Sequence, residues 1–150
     1  MRKVHLPQSV RKIVARKRYE QFAHTADVGV NVFGRNLDEL FENAAAGMFS
    51  LITDLRGVRK VGEYEVKLKA ATPKELMVDW LSELLYLHET QSLLFKHFEV
   101  KVKKKGLDAR AWGETIDRKR HHLHMVVKAV TYHMIEVDAK KGIARVIFDI

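Results

Sequence analysis

The stretch Val28-Gly29-Val30-Asn31-Val32-Phe33, then Gly34-Arg35, then Asn36-Leu37-Asp38-Glu39-Leu40-Phe41, changes its hydrophobic period from two to 3.6 across the Gly34-Arg35 joint. A strand with one apolar face runs almost directly into an amphipathic helix. Asn36 carries an N-capping side chain, and Glu39 follows three positions later in capping-box spacing. Leu37, Leu40, Phe41, Ala44, Ala45, Met48 and Ile52 continue the helical spacing, which predicts about four turns. Thr53-Asp54 and Gly57 end it.

Working outward, Tyr19 to His24 reads as a strand ahead of Val28 to Phe33, with His24-Thr25-Ala26-Asp27 at the junction. Tyr64, Val66 and Leu68 alternate with Glu65, Lys67 and Lys69 in a third strand with one wet face. Thr72-Pro73-Lys74-Glu75 supplies an N-cap, a proline at the first helical position and a glutamate at the third. The helix that follows is apolar at Leu76, Met77, Val78, Trp80, Leu81, Leu84, Leu85, Tyr86 and Leu87, so it is expected to be covered on most sides at the centre of the core. From Leu94 the period returns to two: Phe98, Val100 and Val102 form one strand, Leu107 to Gly113 the next. Leu123 to His133, Met134 to Asp138, a turn at Lys140-Lys141-Gly142 and Ile143 to Ile150 complete the chain. The fold class is α+β: two helices packed on antiparallel β-sheet, with a β-meander as the C-terminal half.

With 150 residues and 47% apolar side chains the chain fits one domain with a substantial core. It has no cysteine, which removes disulfides and thiolate ligands and fits a cytoplasmic protein. No apolar run approaches the roughly 20 residues of a membrane span. The formal charge is +8, but Arg2, Lys3, Arg11, Lys12, Arg16, Lys17 and Arg18 carry seven of those charges in a segment without acids. Residues 1–18 are therefore set apart as a basic, flexible N-terminal extension, and 19–150 as the single domain. Such a tail either contacts RNA phosphates or is a solvated arm.

Two acids stand at strand ends far apart in sequence, Asp27 after the first junction and Asp149 after the apolar run Val146-Ile147-Phe148. If the two ends of the fold meet, these carboxylates repel unless they share a proton or bind a cation, and hard oxygen ligands favour magnesium, calcium or manganese. His24 or His133 would add a nitrogen and tilt the choice toward manganese or zinc, and the backbone oxygens and α-carboxylate of Ile150 lie beside Asp149. The plainer alternative is that Asp27 caps a turn and Asp149 is solvated. His121, His122 and His124 cluster beside Arg118, Lys119 and Arg120, as a metal-binding strand face or a basic hairpin loop. Lys128 lies among apolar residues, where its natural partner is a carboxylate or a phosphate; an edge-strand lysine is the alternative. Glu114, following Trp112-Gly113, is the one further acid placed near a site. No GxSxG elbow, P-loop, GxGxxG loop or HExxH is present.

Tyr19-Glu20, His24-Thr25-Ala26-Asp27-Val28-Gly29, the helix Leu37 to Met48, Trp80-Leu81-Ser82-Glu83-Leu84-Leu85-Tyr86, Gly113-Glu114, Lys128-Ala129-Val130-Thr131-Tyr132-His133 and Phe148-Asp149-Ile150 together resemble the archease family. The likeness covers Arg18 to Ile150 and leaves the tail outside. It implies a small α+β protein that is not itself an enzyme but a cofactor of an RtcB-type RNA ligase, which joins RNA ends in tRNA splicing and repair. Archeases promote guanylylation of the ligase histidine by GTP and allow multiple turnover, so the implied partner is the ligase, met transiently, with RNA reached through it. The family's metal-linked acids match Asp27 and Asp149, and its important lysine matches Lys128; no role carries onto His24, His133 or Glu114. The competing function is an RNA-binding or chaperone-like module acting through the basic tail.

Overall fold

The computed structural model describes residues 17–24 and 26–150, apart from the side chain of His24. Among the described residues, seven strands and two helices follow in the order β1 (Tyr19–His24), β2 (Asp27–Phe33), α1 (Leu37–Ile52), β3 (Gly62–Lys69), α2 (Pro73–Gln91), β4 (Leu93–Lys103), β5 (Gly106–Thr115), β6 (Ala129–Asp138) and β7 (Ile143–Asp149), with a short 3₁₀ turn at Leu55–Gly57. They form an α+β fold with two antiparallel sheets, one in the order β1-β2-β7-β6 and the other in the order β3-β5-β4. The meander is thus divided: β4 and β5 belong to the second sheet, while β6 and β7 return to the first.

Both helix starts form as their sequences dictate. The Asn36 side chain accepts from the Glu39 N–H at 2.9 Å, and Thr72 accepts from the Glu75 N–H at 3.2 Å, so an orphan donor of each first turn is satisfied. Glu39 does not close a reciprocal box: its carboxylate accepts from the backbone N–H of Arg35 and from the Arg35 side chain.

The centre of the core falls to α1 rather than α2. Buried residues run round α1 at Leu40, Phe41, Ala44, Ala45, Ala46, Met48, Phe49, Leu51 and Ile52, because it packs on β4 of one sheet and on β1 and β2 of the other. Its small residues permit this; a Cβ on Gly47 would stand 2.8 Å from a Val30 methyl. Its acids also cover the free edge of β4. Asp38 accepts from the Val102 N–H and Glu42 from the Val100 N–H, both at 2.8 Å, so carboxylates one helical turn apart satisfy alternate edge donors. In α2, Tyr86 is exposed, and the helix joins α1 through the indole N–H of buried Trp80, which donates to the Phe41 carbonyl at 2.9 Å.

The reading of Leu123 to His133 as one strand needs correction, since β6 begins only at Ala129. Burial alternates along 122–128, yet the backbone bonds there serve the end of α1: the His124 N–H donates to the Ile52 carbonyl at 2.8 Å, and the Thr53 hydroxyl donates to the His122 carbonyl at 2.7 Å. The segment thus supplies a donor to the Ile52 carbonyl in the last turn of the helix and an acceptor to the capping Thr53 hydroxyl.

At Gly113 the β4 backbone approaches so closely that a Cβ would meet the Leu94 carbonyl oxygen at 1.8 Å, beside the bulge between Phe95 and His97. Backbone cannot swing aside as a side chain would. Gly113→Ala should therefore destabilise the fold by about 3 kcal/mol, read as a lower urea midpoint.

Candidate metal centre

The β2–β7 pairing decides the geometry of the site. Its register runs from Phe33↔Ile143 to Asp27↔Asp149, so the two acids are direct cross-strand neighbours. Side chains so placed have Cβ atoms about 5 Å apart, and like charges directly opposite destabilise a sheet. Asp27 is half-buried and Asp149 exposed. At the same end of the sheet, His24 pairs with Asp27 in the β1–β2 register, and Ala129 pairs with Asp149. The Lys128 N–H donates to the Asp149 carbonyl at 2.8 Å. Ala26, immediately before Asp27, adopts a left-handed φ of 59°, a costly conformation for a residue with a Cβ.

Other residues singled out in the sequence divide clearly. Lys128 and Ile150 are exposed, one just before β6 and the other next in sequence to Asp149. His133 is exposed in the irregular stretch between Thr131 and Glu136, where β6 bulges away from β7 and Met134 also takes a positive φ of 52°. The His24 side chain, Thr25 and residues 1–16 of the basic extension lie outside the described residues. Among those described, no three His, Asp or Glu side chains converge in a metal-holding group. What the acidic pair offers is two hard carboxylates at an exposed sheet end. That donor set fits magnesium, calcium or manganese, ions that complete their shells with water, backbone oxygens or the phosphates of another molecule.

Glu114 belongs elsewhere. It ends β5 in the other sheet, with its side chain 8% exposed, and accepts from the Arg59 N–H at 2.6 Å, from the imidazole of His121 at 2.9 Å and from the guanidinium of Arg120. Burial opposes its ionisation, but Arg120 above all, then the Arg59 amide and His121, override that and hold the carboxyl at about 2. His121 Nδ1 accepts from the Asp117 N–H at 2.8 Å, so its proton sits on Nε2 and points at Glu114. The histidine cluster is therefore split: His121 is buried in this network, while exposed His122 and His124 face each other with ring centroids 5.3 Å apart. The sequence grouped Arg120 and His121 with the hairpin loop; only their spacing after Glu114 hinted at this network.

Comparison with known proteins follows the same outline. The family model described as Archease protein family (MTH1598/TM1083) matches residues 19–150. The chain belongs to the archease family. It is 41% identical over 140 residues to the protein archease of Methanothermobacter thermautotrophicus, covering 89% of this chain and 99% of that one. With the protein archease of Sulfurisphaera tokodaii it shares 38% identity over 126 residues, 83% of this chain and 91% of the relative. The solution structure of Methanobacterium thermoautotrophicum protein 1598 superposes with a TM-score of 0.74 at 40% identity, covering 88% of this chain and 98% of that one. Among the described residues of this archease, no helix is long and apolar enough to cross a membrane.

Two variants test the electrostatics. The Glu114 carboxyl is depressed from its ordinary 4.5 to about 2, so its contribution is fully present above pH 4.5 and is lost as pH falls toward 2. Glu114→Gln should cost about 2 kcal/mol at neutral pH in urea unfolding and less at acid pH. Asp149→Asn should raise stability in chelator by about 0.5 kcal/mol, because it removes the cross-strand repulsion. A saturating divalent ion should raise the melting temperature of the native protein, and the same variant should abolish that rise.

Proposed function

We propose that this archease is a non-catalytic helper of an RtcB-type RNA ligase, promoting GTP-dependent guanylylation and repeated turnover of that enzyme in tRNA splicing and RNA repair. Family membership supports the reading, and the observation that carries it is the register that sets Asp27 opposite Asp149 at an exposed sheet end. Asp27 and Asp149 are the residues to hold a divalent ion, with the oxygens of Ile150 beside them. When bound, such an ion supplies positive charge to phosphate oxygens.

The rest is the work of the protein's own residues. Guanylylation places a histidine in line with the α-phosphate of GTP and demands neutralisation of the triphosphate charge, work of position and field that requires no nucleophile from the helper. Lys128, whose backbone N–H donates to the Asp149 carbonyl and whose side chain is exposed, would add a cation at this sheet end for a phosphate or a carboxylate of the partner. Because no third His, Asp or Glu side chain among the described residues joins the pair in a metal-holding group, an ion there would keep coordination positions for groups from the ligase or its nucleotide. A short-lived contact through a sheet end also allows release after each round, so one helper can serve many ligase molecules.

The test is formation of guanylylated ligase from GTP with the helper well below stoichiometric amounts. Asp27→Ala and Asp149→Ala should each lower the initial rate by roughly tenfold or more while the circular dichroism spectrum is kept. Lys128→Ala should lower it several-fold. Undiminished stimulation by both aspartate variants overturns the metal-site reading. Calorimetry with manganese, magnesium, calcium and zinc identifies the ion, with heat expected from the native protein and none from Asp27→Ala.

A further inference from the structure

Strand β2 has a second functional end. About 20 Å from Asp27, at Phe33, a cleft of about 770 Å³ opens between the β2–α1 joint, the β6–β7 turn and the residues leading into β1. Its cations come from three separate parts of the chain: Lys17 and Arg18 before β1, Arg35 before α1, and Lys141 before β7. Backbone bonds hold these parts together, from the Phe33 N–H to the Arg18 carbonyl at 3.0 Å and from the Gly34 N–H to the Gly142 carbonyl at 3.1 Å. Gly142 makes the second approach possible, with φ of 68° and a Gly34 carbonyl oxygen where a Cβ would be 2.6 Å away.

The cations are not all spent inside the protein. Arg18 donates through Nε to the neutral amide oxygen of Asn43 at 2.9 Å, and Asn43, 9% exposed, is itself fixed by donating to the Phe33 carbonyl at 2.7 Å. A buried side chain thus aims a guanidinium whose charge meets no acid among the described residues. The Lys141 ammonium likewise has no carboxylate partner among them. The two acids of the cleft are both engaged: Glu39 by Arg35, and Glu42 by the Val100 N–H, with burial pushing the Glu42 carboxyl up. His97 forms one wall, and its ring lies 5.1 Å from that of Trp112, over which the Lys60 ammonium sits at 5.6 Å.

Dispersed cations beside the half-buried rings of His97 and Trp112 suit a single nucleic-acid strand, with phosphates on the cations and a base against a ring edge. We propose that this cleft binds the phosphates of single-stranded RNA, with Arg18 and Lys141 as its principal contacts. The proposal is independent of the ligase reading and of the acidic pair.

Fluorescence anisotropy of the full chain with a short labelled single-stranded RNA, titrated at several salt concentrations, tests it. Arg18→Glu with Lys141→Glu should weaken binding roughly tenfold near 0.1 M salt, and should lower the slope of log affinity against log salt by about 1.4, about 0.7 per lost contact. Arg18→Gln with Lys141→Gln, which adds no new charge, should lower the slope by the same amount. A charge-matched control away from the cleft, Lys74→Glu with Lys104→Glu, should stay within about twofold of the native affinity. Native affinity in both cleft variants, an equal loss in the control, or displacement of the RNA by GTP at equal phosphate concentration overturns the proposal.

Discussion

The pairing of β2 with β7 is the constraint on which the rest of this structure depends. It joins the second strand of the chain to the last, closes the four-stranded sheet, and fixes which side chains stand opposite one another from Phe33↔Ile143 to Asp27↔Asp149. A slip of one residue would turn Val30, Val32, Val146 and Phe148 from the core toward solvent. The core therefore enforces the register, and the register enforces the meeting of two acids that electrostatics alone would keep apart. Burial of large apolar side chains, at about 1.5 to 3 kcal/mol each, easily outweighs one cross-strand repulsion of less than 1 kcal/mol. A tension that size survives only where the core over-determines the geometry, and Ala26, held at positive φ beside Asp27, adds to it.

Helix α1 makes the two sheets one body. Its Ala44-Ala45-Ala46-Gly47 run brings β2 close on one side, and its Asp38 and Glu42 bind the edge of β4 on the other. An edge strand so covered has no free N–H at Val100 or Val102 to recruit another chain. The same helix contributes Asn43 to the basic cleft, so one element serves both packing and charge placement.

What the sequence made legible was local. Asn36 with Glu39, and Thr72 with Pro73 and Glu75, announce helix starts because each cap is a hydrogen bond between residues three apart. The strand pair around Asp27 was readable from alternation, although its turn lacks the usual Asn-Gly or Asp-Gly signal. Long-range placement was not readable. Alternation along 122–128 is real in burial, yet its backbone partners lie at the end of α1, 70 positions away in the case of Thr53 and Leu123, which pair in an isolated bridge. Glu114 looked like a spare acid because Arg120 and His121, its partners, sit in a basic run that is equally consistent with a solvated loop. The site acids were identifiable as strand-end carboxylates, but nothing within reach of either one in sequence encodes their register.

Strand β2 ends in opposite electrostatic characters. At Asp27 two acids are cross-strand neighbours; at Phe33 four cations from three segments line a cleft whose acids are engaged. Field lines from exposed charges fade over about 10 Å at ordinary salt, so groups about 20 Å apart act as separate sites. A cation at one end and a polyanion at the other would not compete. Nor does either need the chain to move, because each end is set by the register of a rigid sheet. For a protein without an evident nucleophile motif, that arrangement fits a role in presenting charge to other molecules. The short connection through β2, with its core-enforced register, would keep the distance between the two presentations constant.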